Sequence, residues 1–249
     1  MQNRSRRLVT VAAVLMLASG CSGDSPTAPS LDGTVSAPLS SAIKSDIAAT
    51  AGNAVAGDLE SIVANEMSLS SPSTESGDSK TVVKSYQFLD AAGNPMDKFI
   101  KGTTEAIHYV MKTDGVESRD NNRSATHSLR DATLSGFLGP NRIWNGVASS
   151  ADTTIHTEDL SMRTYTGLSV DTVKAVTFLD ERALHPYPLS GEFVRVVDYK
   201  VVSTGKQLEM TTVTKRAVVT FNGTADVPIS LGDYSCVLHL DTHKVDGCG

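Results

Sequence analysis

Residues 189–241 read LSGEFVRVVDYKVVSTGKQLEMTTVTKRAVVTFNGTADVPISLGDYSCVLHLD, and their alternation decides the fold. Thr204-Gly205, Asn222-Gly223 and Gly232-Asp233 divide the stretch as turn signals. A two-residue turn fixes the register of the strands it joins. Set that way, Thr204-Gly205 pairs Val201 with Leu208, Tyr199 with Met210 and Phe193 with Arg216. Asn222-Gly223 pairs Thr220 with Ala225 and Val218 with Val227, and Gly232-Asp233 pairs Ile229 with Cys236 and Val227 with Leu238. Side chains alternate along a strand and cross-strand partners share a face. One face therefore collects Leu189, Phe193, Val197, Tyr199, Val201, Leu208, Met210, Val218, Val227, Ile229, Leu231, Cys236, Leu238 and Leu240. The other collects Glu192, Asp198, Lys200, Glu209, Lys215, Asp226 and Asp241, with Lys200 opposite Glu209. Val194, Val196, Val213 and Val219 break the polar face, and Arg216 breaks the apolar one.

Upstream to Lys80 the chain carries the same strand chemistry, dense in Thr, Val and aromatics. Segments at 81–90, 103–112, 116–134, 142–157 and 161–178 are separated by Gly93-Asn94-Pro95, Asp114-Gly115 and Gly139-Pro140-Asn141. Taken as a hairpin, Asp114-Gly115 sets Ile107, Tyr109 and Met111 against Asn122, Asp120 and Ser118, a poor match. Segments this long exceed ordinary strands, which predicts bends near Gly136, Gly146 and Gly167. From Ser41 to Ser68 the period changes: Ile43, Ile47, Ala51, Val55, Leu59, Ile62 or Val63, and Met67 form one helical stripe. Asp46, Asp58 and Glu60 fall off it. Gly52 and Gly57 weaken the helix, so it needs a docking surface that its alanines can approach closely. The expected fold is mainly β, a large curved antiparallel sheet of eight to ten strands in an up-and-down meander. A single N-terminal α-helix covers its apolar concave face.

The chain begins with Arg4, Arg6 and Arg7, then the apolar run Leu8–Ser19. A basic start and a short apolar run form a secretory signal at 1–20. The run is too short to remain as a transmembrane helix, which needs ~20 residues. Of 22 basic and 28 acidic residues, those three arginines leave with the leader, so the exported chain carries −9. That charge disfavours nucleic acid as a partner. Leu17-Ala18-Ser19-Gly20-Cys21 resembles the lipobox of bacterial lipoproteins, with Ala18 where leucine is usual. The resemblance implies cleavage before Cys21, diacylglycerol on its sulfur and an acyl chain on its amino group. Ser22, where the family's inner-membrane retention signal has aspartate, implies sorting to the outer membrane. Two or three chains make such anchoring stable where one does not. With Cys21 lipidated, Cys236 and Cys248 are left to pair in an oxidising compartment. Residues 21–40 are rich in Ser, Pro, Thr and Ala and form a flexible tether, and 41–249 form one domain.

No nucleotide-binding, zinc-protease or nucleophile-elbow motif is present, and no catalytic, cofactor-binding or metal residue is assigned. His239-Leu240-Asp241-Thr242-His243 is the most metal-like cluster, but a turn after Asp241 carries His243 out of line. Arg119-Asp120-Asn121-Asn122-Arg123 with His127, Arg130 and Asp131 reads as a solvated strand, or as the lining of a groove. Trp144, the single tryptophan, reads as core. The expected role is that of an exported, membrane-anchored envelope or surface lipoprotein with a non-enzymatic binding or structural task. In outline the strand pattern resembles β-rich envelope lipoproteins of bacteria, without assigning any residue a role. One alternative is a carrier of an apolar ligand or lipid, held between Ile47, Val55 and Leu59 and the Phe193/Tyr199/Met210 face. Another is a hydrolase built from scattered residues.

Overall fold

The computed structural model describes residues 39–67, 73–76, 80–119, 122–158, 161–180, 185–204 and 208–249. The expected signal peptide at 1–20, Cys21 and the expected tether as far as residue 38 lie outside the described residues. The helix α1 is Ser41–Met67, with side chains described as far as Leu59. The strands are β1 (Ser73–Ser76), β2 (Lys80–Asp90), β3 (Pro95–Met96), β4 (Thr104–Arg119), β5 (Asn122–Ser135) and β6 (Asn141–Glu158). They continue as β7 (Ser161–Leu179), β8 (Ser190–Thr204), β9 (Glu209–Thr220), β10 (Asp226–Leu231), β11 (Tyr234–His239) and β12 (Lys244–Asp246).

Among the described residues the strands form one antiparallel open sheet in the order β1-β2-β4-β5-β6-β7-β8-β9-β10-β11-β12, with β3 paired to β2 off that path. Apart from β3, every strand pairs with the next in sequence, the up-and-down meander that the turn signals predict. The long central strands carry the expected irregularity at Gly146, where the β6–β7 register shifts. A Cβ there would meet the Ala132 Cβ at 2.4 Å, so only glycine fits. Gly136 instead ends β5 at φ +87°, and Gly167 lies in β7 without a register shift.

Two expected registers are corrected. Val201 pairs with Thr211 rather than Leu208, and Val218 pairs with Ser230 rather than Val227. Each is a slip of three positions, and an odd slip turns a strand over. The β8–β9 connection is longer than two residues, since its last pair is Ser203 with Glu209. At Asn222-Gly223 the Asn222 side chain organises a wider loop, bonding Thr224 N and the Asp226 carbonyl, each at 3.1 Å. Because β9 is flanked by both slips, it alone is inverted. Val213, Ala217 and Val219 face the core, while Leu208 and Met210 are 69% and 65% exposed. Val218 and Val227 thus point to opposite faces. Lys200 lies opposite Thr212, not Glu209. At Gly232-Asp233 the expected pairs, Ile229 with Cys236 and Val227 with Leu238, are present. Asp114-Gly115 is no turn, because β4 runs through it and sets Met111 against Arg130, Tyr109 against Ala132 and Ile107 against Leu134.

The helix starts where Ser40 Oγ accepts from the Ile43 amide at 3.3 Å, the orphan donor that an N-cap serine serves. Ile43, Ile47, Ala51 and Val55 are buried along its predicted stripe. They join Phe193, Val197, Tyr199, Val219, Val227, Ile229 and Leu238 in the core. Gly52 allows the approach: a Cβ there would lie 2.6 Å from Val245 Cγ2 and 3.1 Å from Leu238 Cδ1. Fully burying a side chain such as Ile47 or Ile229 contributes ~1.5–3 kcal/mol, so this flank holds the helix to the sheet. Cys236 is disulfide-bonded to Cys248, and Ser45 of α1 donates to the Cys248 sulfur.

Candidate functional site

The concave face changes character toward β4–β7. Because the sheet is one continuous meander, its inward residues align in rows across the strands. One row runs Lys84, Met111, Arg130, Ala148, Asp171, Arg195, Ala217 from β2 to β9. The next runs Val82, Thr113, Ser128, Ser150, Ser169, Val197. A third holds Thr126, Asp152, Gly167 and Tyr199. Where the β8–β12 half offers Phe, Tyr, Ile and Val, these rows offer hydroxyls, charges and small residues. The short Thr, Ser and Ala side chains among them, with the long charged ones drawn into pairs, leave the space beneath α1 unfilled. A cavity of about 440 Å³ remains between the helix and the sheet. That volume lies within the ~300–1,000 Å³ of small-molecule pockets.

The roof comes from α1. Asp46, Thr50, Asn53 and Gly57 recur at helical spacing as a second, polar stripe, and all four line the cavity with Ala54 and Asp58. Asp46 and Asp58 are therefore buried, not solvated, at 8% and 6% exposure. Each meets a cation from the sheet. Asp46 accepts from Arg163 Nε at 2.5 Å and from the Tyr165 hydroxyl, with His156 Nε2 at 3.6 Å. Asp58 lies 2.5 Å from Arg130 Nη2. Two acid–base contacts thus clamp the polar flank of the helix.

From Asp58 the charges alternate inward. Arg130 Nη2 is 3.8 Å from Asp171, Asp171 accepts from Arg195 Nη1 at 3.0 Å, and Arg195 Nη2 donates to Asp152 at 2.8 Å. Ser150 and Ser169 complete Asp152, at 2.8 and 3.1 Å. Buried ions need this alternation, because each unpaired charge in a low-dielectric interior is costly. The compensation is incomplete. Burial outweighs the neighbouring Arg130 and pushes the Asp58 carboxyl up to about 7, and Asp171 is also raised by burial. Arg130 Nη1 and Arg195 Nε are buried without an acceptor among the described residues. The Arg130 guanidinium stands 5.7 Å over the Trp144 ring, and Trp144 is fully buried in the core as expected.

The remaining sequence candidates do not converge here. His239 is held between Asp226 at 2.7 Å and Asp246 at 3.0 Å, away from Asp241, and His243 lies in the following turn. The polar run after Arg119 divides between the faces: Arg130 turns into the cleft, while Asp131 bonds His108 and His127 bonds Asp114 on the outer side. Asp120 and Asn121 lie outside the described residues. Met210, expected beside Tyr199, is on the outer face. No family model matches the chain, and neither a curated protein nor a solved structure shows significant similarity to it.

Proposed function

We propose that this chain is an exported, lipid-anchored envelope or surface protein whose role is to bind a small polar molecule in the cleft beneath α1. The observation that carries the binding role is a cavity of about 440 Å³ between α1 and the sheet, lined by Thr and Ser hydroxyls and by charged side chains. A protein gains nothing in stability from such a hollow, and filling it with apolar side chains would stabilise the fold. The anchored location rests on the lipobox pattern at Leu17–Cys21.

Two other readings have less support. A carrier of an apolar ligand needs free volume between Ile47, Val55 and the Phe193/Tyr199 face. Those residues are packed in one core cluster, and the free volume lies on the polar flank. A hydrolase working in this cleft needs a lining histidine oriented by a free acid, and the histidine there is His156. The acid beside His156 is Asp46, already engaged by Arg163 and Tyr165. The test is native mass spectrometry of the protein extracted from its own envelope. A small co-purifying molecule, lost on denaturation, is the expected result. A spectrum holding the acylated chain alone would contradict the binding role, and unchanged membrane partition of Cys21→Ser would contradict the anchor.

A further inference from the structure

We propose that the ligand is an uncharged polyhydroxylated molecule, a mono- or disaccharide or its alditol, held by the hydroxyls of Thr113, Thr126 and Ser128 and by the Asn53 amide. This names the ligand class for the site above and rests on that reading. All four side chains line the cavity, three from the floor and Asn53 from the roof. The neighbouring hydroxyls are already engaged within the protein. Thr50 donates to the Ile47 carbonyl at 2.8 Å, Ser124 and Thr154 bond each other at 3.0 Å, and Ser150 donates to Asp152 at 2.8 Å. The polar atoms of Thr113, Thr126, Ser128 and Asn53 make no such bond among the described residues, and none of them is shut away from the cavity. Each of these groups can donate and accept, as each hydroxyl of a sugar does.

The charges at the cavity are balanced and engaged. The carboxylates are Asp46, Asp58, Asp152 and Asp171. Against them stand Lys84, Arg130 and Arg195 in the lining, and Arg163 bound to Asp46. Four of each sign leave no net charge for a ligand to answer, and His156 only shares the Asp46 contact at 3.6 Å. Asp58 is held by Arg130, Asp171 and Asp152 are held by Arg195, and Lys84 is engaged as well. The cationic donors left over, Arg130 Nη1 and Arg195 Nε, are buried out of reach. An ionic ligand would therefore have to break one of these pairs or go uncompensated, whereas a neutral polyol needs only the free polar groups.

Those groups are spread over the area of one sugar ring. Thr113 and Ser128 are cross-strand partners, which sets them about 5 Å apart, and Thr126 precedes Ser128 by two residues on β5, about 7 Å away. Val82, Met111 and Val116 line the same cavity and offer apolar surface to the C–H faces of a ring. An alkyl chain would cover that surface but leave the four polar groups without partners.

Isothermal titration of the protein with D-glucose, D-galactose, maltose, sucrose and sorbitol tests this, with D-glucuronate, D-glucosamine and octanoate as the acidic, basic and apolar controls. At least one neutral compound should bind tenfold or more tighter than all three controls. Its affinity should change less than twofold between about 0.05 and 0.5 M salt, since no ion pair forms on binding. Ser128→Ala and Asn53→Ala should each weaken it fivefold or more, while Ser149→Ala, exposed on the outer face, should not. A control binding as tightly as every neutral compound, an affinity that salt shifts tenfold, unaffected Ser128→Ala and Asn53→Ala variants, or no neutral compound binding would overturn the assignment. If the sugars fail while native mass spectra still show a bound molecule, only the ligand class is wrong. Empty spectra defeat the binding role itself.

Discussion

The two halves of the concave face share a backbone plan and differ in what they do with it. Over β8–β12 the inward positions are large and apolar, α1 approaches through Gly52, and the contact is dry. Over β4–β7 the inward side chains at the cavity include Thr113, Ser128, Ser150 and paired charges, beside core residues such as Tyr109 and Trp144, and the same helix leaves a cavity. One helix therefore has a structural flank and a polar flank, about a third of a turn apart. Stability is concentrated on the first, and the proposed binding on the second.

That division can be broken most sharply at its extremes. Ile229→Ala, in the dry half, should cost about 4 kcal/mol in urea unfolding, whereas Ser150→Ala in the cleft floor should cost about 1. Equal losses at the two positions would erase the distinction. Next comes pH. Because the Asp58 carboxyl is raised to about 7 from 3.8, the folded state holds its proton more tightly than the unfolded chain. The stability this confers is full below about pH 4 and lost as pH rises through about 7, amounting to roughly 3–4 kcal/mol. Asp58→Asn should flatten the difference between pH 4 and 7, seen as a smaller change in the urea midpoint. An unchanged profile would mean that the polar flank is solvated. In the dry half, replacing both Cys236 and Cys248 by serine should cost roughly 3 kcal/mol, read from the same midpoints. The smallest effect separates two glycines of one helix. Gly52→Ala should destabilise by about 1 kcal/mol, because the new methyl meets Val245 and Leu238. Gly57→Ala, with no atom within 4 Å of the added carbon, should stabilise by up to ~1 kcal/mol. Thermal unfolding that moves both variants the same way would contradict the two-flank description.

Much of the dry half is legible in the sequence. The faces of β8, β10 and β11 and the stripe Ile43, Ile47, Ala51, Val55 follow from alternation and helical period. Strand β9 is not, because two-residue turns set its expected face and both loops are longer. Its own alternation, Val213, Ala217 and Val219, points inward and outweighs the turns, since burying three apolar side chains matters more than a preferred loop type. The cleft was written less plainly. Arg195 has the parity of Phe193 and Val197, which marks it as an inward charge. Asp46, Thr50, Asn53 and Gly57 repeat at helical spacing, a second stripe that polarity alone disguises as a solvated face. Reading Asp114-Gly115 as a turn leaves Arg130 unsorted within the charged run around it. Its role depends on a long strand passing straight through a sequence that elsewhere makes hairpins.

The central claim is that α1 spans a filled core on one flank and an open polar cleft on the other. A crystal structure of the protein tests it directly. The expected map shows open space between α1 and the Thr113–Ser128–Ser150 floor, with Ile47 and Val55 in close contact with the core around Phe193. A helix lowered onto Ser128 and Ser150, with no space beneath it, would contradict the claim.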